Sequence, residues 1–389
     1  MRHARVHPPL PSPRAALDPE GALVAHREIT SWPGYEPTPL RELPALARRL
    51  GLLGLHYKDE AGRFGMGSFK ALGGAYAVFR VVGRRVRSVA DPGAVRRQDL
   101  LAGAYREAVS DLTVTTATDG NHGRSVAWGA SLFGCRAVIF VPASVSGPRR
   151  EAISRLGARV VVVEGDYDAA VRRCAAEAAA SGFVVVSDTT YEGYLDIPRD
   201  VMQGYRVMVS EVLEQAPRGV RFTHVFVQGG VGALAAAVAE HLARREDAAR
   251  PRVVVVEPDT ADCLYRSALA GSPTRASGDL DTVMGGLACG EPSVLAWEIL
   301  ASRGADFVTI PDAAALEAMR ALAAGEGGDP PLVAGESGAA GIAALLEAAR
   351  EPEIFRALGL SPESTVLAFG TEGATDPEIY RRIVAPPAS

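Results

Sequence analysis

Three glycine-punctuated segments carry residues able to do chemistry. In Gly67-Ser68-Phe69-Lys70 a lysine stands where an apolar helix begins, directly after the loop AGRFGMG. Most lysines are solvated surface groups, but this chain relies on arginine, and Lys58 and Lys70 are its only two lysines. A lysine at such a place can be desolvated, its amine pKa lowered, and turned into a Schiff-base nucleophile toward a carbonyl. The second segment, Thr118-Asp119-Gly120-Asn121-His122-Gly123, joins the run LTVTTA to the helix-like RSVAWGASLF. Free N–H groups at a helix start suit a carboxylate, although Asp and Asn favour such turns with or without a ligand. His122 has no second histidine at ligand spacing, so no metal is assigned. In the third, a strand runs into Gly229-Gly230-Val231-Gly232 and a helix opens at once, which aims backbone N–H groups at an anion. That loop alone does not say which anion. Gly230 to Ala235 also fit the dinucleotide pattern GxGxxA, and Glu257 ends the next strand where a ribose-binding acid would sit. An NAD-dependent dehydrogenase is therefore a rival, and a tight turn with no ligand is a third reading.

The elements around these segments define the scaffold. Strand-like runs occur at 112–117, 137–142, 159–164 and 183–188, separated by helical stretches at 123–133, 147–156 and 166–181. The alternation resumes with a helix near 199–215, the strands THVFVQ, RVVVVEPD, FVTI and TVLAFG, and helices between them. Continuous β-branched runs alternating with helices mean buried parallel sheets. The fold class is α/β, with two doubly wound open-sheet domains. The large one takes residues 1–83 and 201–389, and the small one takes 84–200 with the Asn-bearing loop. Residues 39–53 read as one amphipathic helix. Residues 1–30, rich in Pro, Arg and Ala, read as a flexible arm.

Composition narrows the class. A chain of 389 residues is too long for one compact core and fits two domains. The net charge of −5 gives no footprint for nucleic acid, and no apolar stretch approaches the roughly 20 residues of a membrane helix. Four widely spaced cysteines and the lack of a secretory-type apolar segment fit a reducing, cytosolic compartment.

Taken together, the segments resemble the fold type II pyridoxal-phosphate (PLP) enzymes, the tryptophan synthase β and threonine dehydratase group. That group has a Ser-x-Lys before a helix, an Asn-bearing loop and a Gly-rich phosphate loop in this order. The finer pattern resembles the diaminopropionate ammonia-lyases, through YEPTPL, RFGMGSFKALGGAYA, TDGNHGRSVAW, DTTYEGY, QGGVGA, EPDTADCLYRSA, MGGLACGEPSVLAWEIL, GESGAAG and TEGATD. The resemblance implies that Lys70 binds the cofactor covalently in a cleft between the two domains. It implies that Gly229, Gly230, Val231 and Gly232 hold the phosphate by backbone N–H, and that Asn121 hydrogen-bonds the ring hydroxyl. Thr371 matches the position of a hydroxyl beside the ring nitrogen. A neutral hydroxyl there, in place of a carboxylate, makes a weaker electron sink and favours loss of a β-substituent. Thr118, Asp119, Gly120 and His122 match the loop that receives an amino-acid substrate, and a homodimer is implied.

Two carboxylates point to the substrate. Dehydratases acting on hydroxyamino acids carry a small hydroxyl residue where this chain has Asp119. A carboxylate beside the substrate's own carboxylate is repulsive for serine but favourable for a substrate with a second ammonium group. Asp188, in DTTYEGY, supplies a second one. The expected reaction is PLP-dependent α,β-elimination of 2,3-diaminopropionate, with Lys70, Asp119 and Asp188 as the proton-handling groups. A serine or threonine dehydratase of the same fold is the nearest alternative, and a non-enzymatic scaffold is disfavoured by the intact lysine and phosphate loop.

Overall fold

The computed structural model describes residues 1–6, 8–11, 17–89, 97–244 and 250–385. Eleven strands form among these residues: β1 (Arg2–Arg5), β2 (Leu40–Glu42), β3 (Gly54–Asp59), β4 (Thr113–Ala117), β5 (Arg136–Pro142), β6 (Arg159–Val163), β7 (Val184–Val185), β8 (His224–Gln228), β9 (Arg252–Pro258), β10 (Asp306–Ile310) and β11 (Thr365–Gly370), and β-branched residues fill most of them from β4 onward. One sheet has the order β1-β10-β9-β8-β11-β3-β2 and the other β6-β5-β4-β7. The second is parallel throughout, and in the first only the edge pairs β1/β10 and β2/β3 are antiparallel. Central strands such as β8 and β11 are buried along their whole length, as a sheet covered on both faces requires. All four strands of the second sheet lie within residues 84–200.

Three segments depart from the sequence reading. The stretch 39–53 is not one helix. Leu40–Glu42 pairs with β3, and a short helix, Pro44–Arg49, follows. Pro44 has no N–H to donate and suits a first helical position, while both Asp329 carboxylate oxygens accept, from Ala45 N and Leu46 N, each at 2.9 Å. The arm at 1–30 is docked where it is described. β1 pairs with β10, Asp18 caps the helix Pro19–Ile29, and Leu17, Ala25 and Ile29 are fully buried. Its average composition conceals this amphipathic pattern; His7 and residues 12–16 lie outside the described residues. The run 183–188 yields only two strand residues, because the chain then turns toward the cleft at Asp188.

The helix Lys70–Val89 sits between Asn121–Phe133 and Asp196–Gln215, and close approach fixes its place. A Cβ on Gly74 would lie 2.3 Å from Ser125 Oγ, and one on Gly73 2.3 Å from the Tyr205 ring. Ser125 exploits the contact: its Oγ donates to Lys70 O (2.6 Å) and accepts from Ala75 N (3.0 Å), tying the lysine helix to the helix that carries Asn121.

The other lysine has a structural task. Lys58 is fully buried and donates to Glu211 (2.6 Å) in a cluster where Arg63 also binds Glu60 and Glu211. All four cysteines are free thiols. Among the described residues no helix is long and apolar enough to cross a membrane.

Candidate active site

The loops leaving the C-terminal ends of β3, β4, β7, β8 and β11 converge on one cleft. Such a crevice is where open α/β sheets bind ligands. It brings together Lys70, Thr118, Asp119, Gly120, Asn121, His122, Asp188, Gly229, Gly230, Val231 and Thr371; among the expected site residues, only Gly232 lies outside its lining.

Lys70 begins its helix on Ser68, whose Oγ accepts from Lys70 N at 3.2 Å. Its ammonium lies 5.4 Å from the Phe69 ring centre and 5.8 Å from that of Tyr205, and it hydrogen-bonds the Asp188 carboxylate. Burial works to lower the Lys70 pKa, but Asp188 and Tyr205 outweigh it and hold the amine above its ordinary value. Burial works to raise Asp188, and the Lys70 ammonium more than reverses it, so that carboxyl stays well below its usual range.

The turn bearing Asp188 is tied down on both sides. Tyr194 Oη donates to Val185 O (2.8 Å) and accepts from Ser187 N (3.0 Å), and Thr190 hydrogen-bonds Ser293 (2.8 Å). His122 Nε2 contacts Val186 O at 2.8 Å. Burial lowers the His122 pKa, so the neutral ring donates from Nε2.

Asp119 has no hydrogen-bond partner among the described residues. Burial pushes its carboxyl up to about 6; Arg149 and Lys70 oppose the rise, and Asp188 adds to it. In the same loop Thr118 Oγ1 accepts from Gly120 N (3.0 Å) and Gly123 N (3.1 Å). Thr118 and His122 therefore shape the loop with their polar atoms, while the N–H groups of Asp119, Asn121 and His122 carry no acceptor among the described residues.

The glycine loop divides its labour in a way the sequence reading did not foresee. Gly229 N donates to Val256 O (2.8 Å) and Gly232 N to Gly229 O (3.0 Å), so these two N–H groups are committed within the protein. Gly229 is needed for space, since a Cβ there would lie 2.7 Å from Glu257 Cγ. The N–H groups of Gly230 and Val231, and of Ala233 and Leu234 in the first turn of the helix Ala233–Ala243, have no acceptor among the described residues. Gly230 turns with φ +59° and Gly232 with φ +95°, a region side chains rarely enter. Glu257 is fully buried, and its carboxylate accepts from Leu264 N (2.9 Å) and Tyr265 N (2.7 Å). It caps the helix Cys263–Ala270 and is not presented to a ribose, which removes the basis of the dinucleotide reading.

Other residues in the cleft escaped the sequence reading. Arg149 reaches Thr375 Oγ1 at 3.3 Å. The Tyr167 ring is 36% exposed while its hydroxyl end enters the cleft, where burial, Asp119 and Asp188 raise its pKa. Burial lifts the Cys289 thiol to about 12. Glu372, beside Thr371, accepts from Asn121 Nδ2. Cys289 and Glu372 stand in motifs already noted, whereas Arg149 and Tyr167 begin ordinary amphipathic helices and gave no local signal.

Residues 31–369 match the family described as pyridoxal-phosphate dependent enzyme, and the chain belongs to that family. Within it, the chain is 40% identical over 364 residues to the diaminopropionate ammonia-lyase of Escherichia coli, covering 92% of this chain and 89% of that one. Crystal structures of the E. coli diaminopropionate ammonia lyase superpose closely. The complex with D-serine gives a TM-score of 0.90 at 37% identity, over 98% of this chain and 96% of that one. The complex with an aminoacrylate-PLP azomethine reaction intermediate gives 0.87 at 36%, with the same coverage.

The cleft fits pyridoxal phosphate. The unpaired N–H groups at Gly230, Val231, Ala233 and Leu234 form an anion cradle at a helix start, aided by its positive end. Lys70 and Thr371 line the same cleft. A side chain at Gly230 would lie 3.4 Å from Gly286 O.

Proposed function

We propose that this chain eliminates ammonia from 2,3-diaminopropionate and yields pyruvate and a second ammonia after one water is taken up. One observation carries the reading: two carboxylates, Asp119 and Asp188, share the cleft with Lys70, and Asp119 has no hydrogen-bond partner among the described residues. Its similarity to the E. coli lyase across nearly the whole chain supports the same conclusion.

When bound, pyridoxal phosphate supplies a carbonyl that takes up the α-amine and an electron sink for the α-carbon. Lys70 would be its covalent anchor and the cradle at Gly230 and Val231 would hold the phosphate, with Gly229 and Gly232 giving the loop its shape, while Asn121 would hold the ring hydroxyl and Thr371 would stand at the ring nitrogen. The free N–H groups of the loop at Asp119, Asn121 and His122 receive the substrate carboxylate. A carboxylate with a pKa of about 6 is ionised near neutrality and still basic enough to accept the α-proton. Asp119 takes that proton on one face and Lys70 on the other. Asp188 stabilises the Lys70 ammonium when the amine is free, and a carboxylate near the β-amine keeps it as ammonium, which leaves far more readily than amide. With this reading go a homodimer, which the family resemblance implies, and a cytosolic setting, which the four widely spaced cysteines fit.

A hydroxyamino-acid dehydratase is the second reading, and Asp119 argues against it. Two like charges about 4 Å apart repel by about 4 kcal/mol at an effective dielectric near 20, and serine brings no second ammonium to offset this. The test is to supply the PLP-loaded protein with each enantiomer of 2,3-diaminopropionate and with serine. Pyruvate with two equivalents of ammonia from the diamino acid is expected. Turnover of serine alone would overturn the proposal.

A further inference from the structure

Glu372 has two acceptor oxygens in the cleft wall, and both are in use. Oε1 accepts from Ser337 N at 3.1 Å, and Oε2 accepts from the carboxamide of Asn121. The residue is only 5% exposed, and its backbone is held as firmly as its side chain. Glu372 O accepts from Gly335 N (3.0 Å), Glu372 pairs with Ser68 in a lone β-bridge, and a Cβ on Gly338 would lie 2.5 Å from Glu372 O. Asn121 arrives from the other side, at the start of the helix that follows β4 of the second sheet. The contact therefore joins a fixed carboxylate to the residue proposed above to touch the ring hydroxyl.

We infer that Glu372 is a positioning residue for the cofactor, locking the Asn121 carboxamide so that its second Nδ2 hydrogen is kept for the ring hydroxyl oxygen. The inference rests on the reading of Asn121 as a cofactor ligand. The chemistry is one of direction. A carboxylate accepts only, so Asn121 must turn Nδ2 toward it and cannot flip. The negative charge also polarises the amide and makes its remaining N–H a better donor. In Glu372→Gln the shape is kept, but one acceptor becomes a donor. Two donors, Ser337 N and Asn121 Nδ2, then compete for one oxygen. Asn121 regains a bond by flipping, with Oδ1 toward the glutamine and no N–H in its former place.

The test is a double-mutant cycle with Asn121→Ala, Glu372→Gln and the double variant. The readouts are the dissociation constant of PLP from the stripped protein and the position of the cofactor's visible absorption band. Each single variant should weaken PLP roughly ten- to a hundred-fold, the range for losing a hydrogen bond to a charged group. Both should shift the band in the same direction, and the double variant should be no worse than Asn121→Ala. Glu372→Asp, which keeps both acceptors but draws them back by one methylene, is read the same way should the glutamine variant not fold. If Asn121→Ala leaves affinity and band unchanged, the cofactor role of Asn121 fails and this inference falls with it. If Asn121→Ala weakens binding but the Glu372 variants do not, or if the two losses multiply, Glu372 has only a structural role.

Discussion

The Lys70 ammonium and the Asp188 carboxylate form an ion pair inside the cleft, and each holds the other in its charged form against the effect of burial. A lysine so paired is protonated, so it becomes nucleophilic only once its proton is lost, and the Asp188 pair opposes that loss. Lys70→Ala is predicted to abolish turnover, and borohydride should no longer fix the cofactor to the protein. Near-native circular dichroism should accompany the loss. A borohydride-stable adduct in this variant would place the covalent anchor elsewhere.

Gly230 lies in the phosphate cradle with a backbone conformation that side chains rarely adopt. Its φ of +59° disfavours any β-branched residue, and a Cβ would come 3.4 Å from Gly286 O and 3.6 Å from Cys289 Sγ. Gly230→Val is predicted to weaken PLP at least about ten-fold, through backbone strain of order 1–3 kcal/mol and blocked approach to the N–H groups. Equilibrium dialysis of the cofactor measures this. Unchanged retention of PLP would move the phosphate site away from the loop.

Asp119 sets a stability window. Its carboxyl in the folded, cofactor-stripped protein stands at about 6, above the ordinary 3.8, so between these values the folded chain holds a proton that the unfolded chain has released. Stability from this group is therefore fully present below about pH 4 and lost as pH rises through 6. Asp119→Asn, which does not titrate, should raise the melting temperature of the stripped protein at pH 8, by an amount equivalent to about 1–3 kcal/mol. The gain should shrink toward pH 4. Thermal melts of parent and variant across this range check it, and a gain independent of pH would mean that Asp119 is not the titrating group.

Much of the site was legible because its parts are local. Lys70, the Asn121 loop and the Gly230 loop each sit at a strand-to-helix or loop-to-helix junction, where turn chemistry leaves a readable signature, and the β-branched runs gave both sheets. What was hidden depends on distant residues. Arg149 and Tyr167 enter the cleft only because helices of the second sheet face the loop after β11. The commitment of the Gly229 and Gly232 N–H groups depends on β9 and on the turn's own closure. The first residues looked disordered by composition, yet Arg2–Arg5 extend the large sheet because β10 offers a free edge that must be paired. Glu257 fitted a ribose-binding pattern until its carboxylate proved to be spent on Leu264 N and Tyr265 N.

The central claim is that the charge of Asp119 selects a diamino acid. The most direct measurement is kcat/KM for both enantiomers of 2,3-diaminopropionate and of serine, with the parent and with Asp119→Asn. Loss of a charged partner at a desolvated site costs on the order of 2–5 kcal/mol, or roughly tens- to thousands-fold in rate. Activity on the diamino acid should fall by that factor, while activity on serine should hardly change or rise as repulsion is relieved. Loss confined to one enantiomer would assign Asp119 chiefly as the base for that face. Equal proportional losses on serine and diaminopropionate would contradict the account.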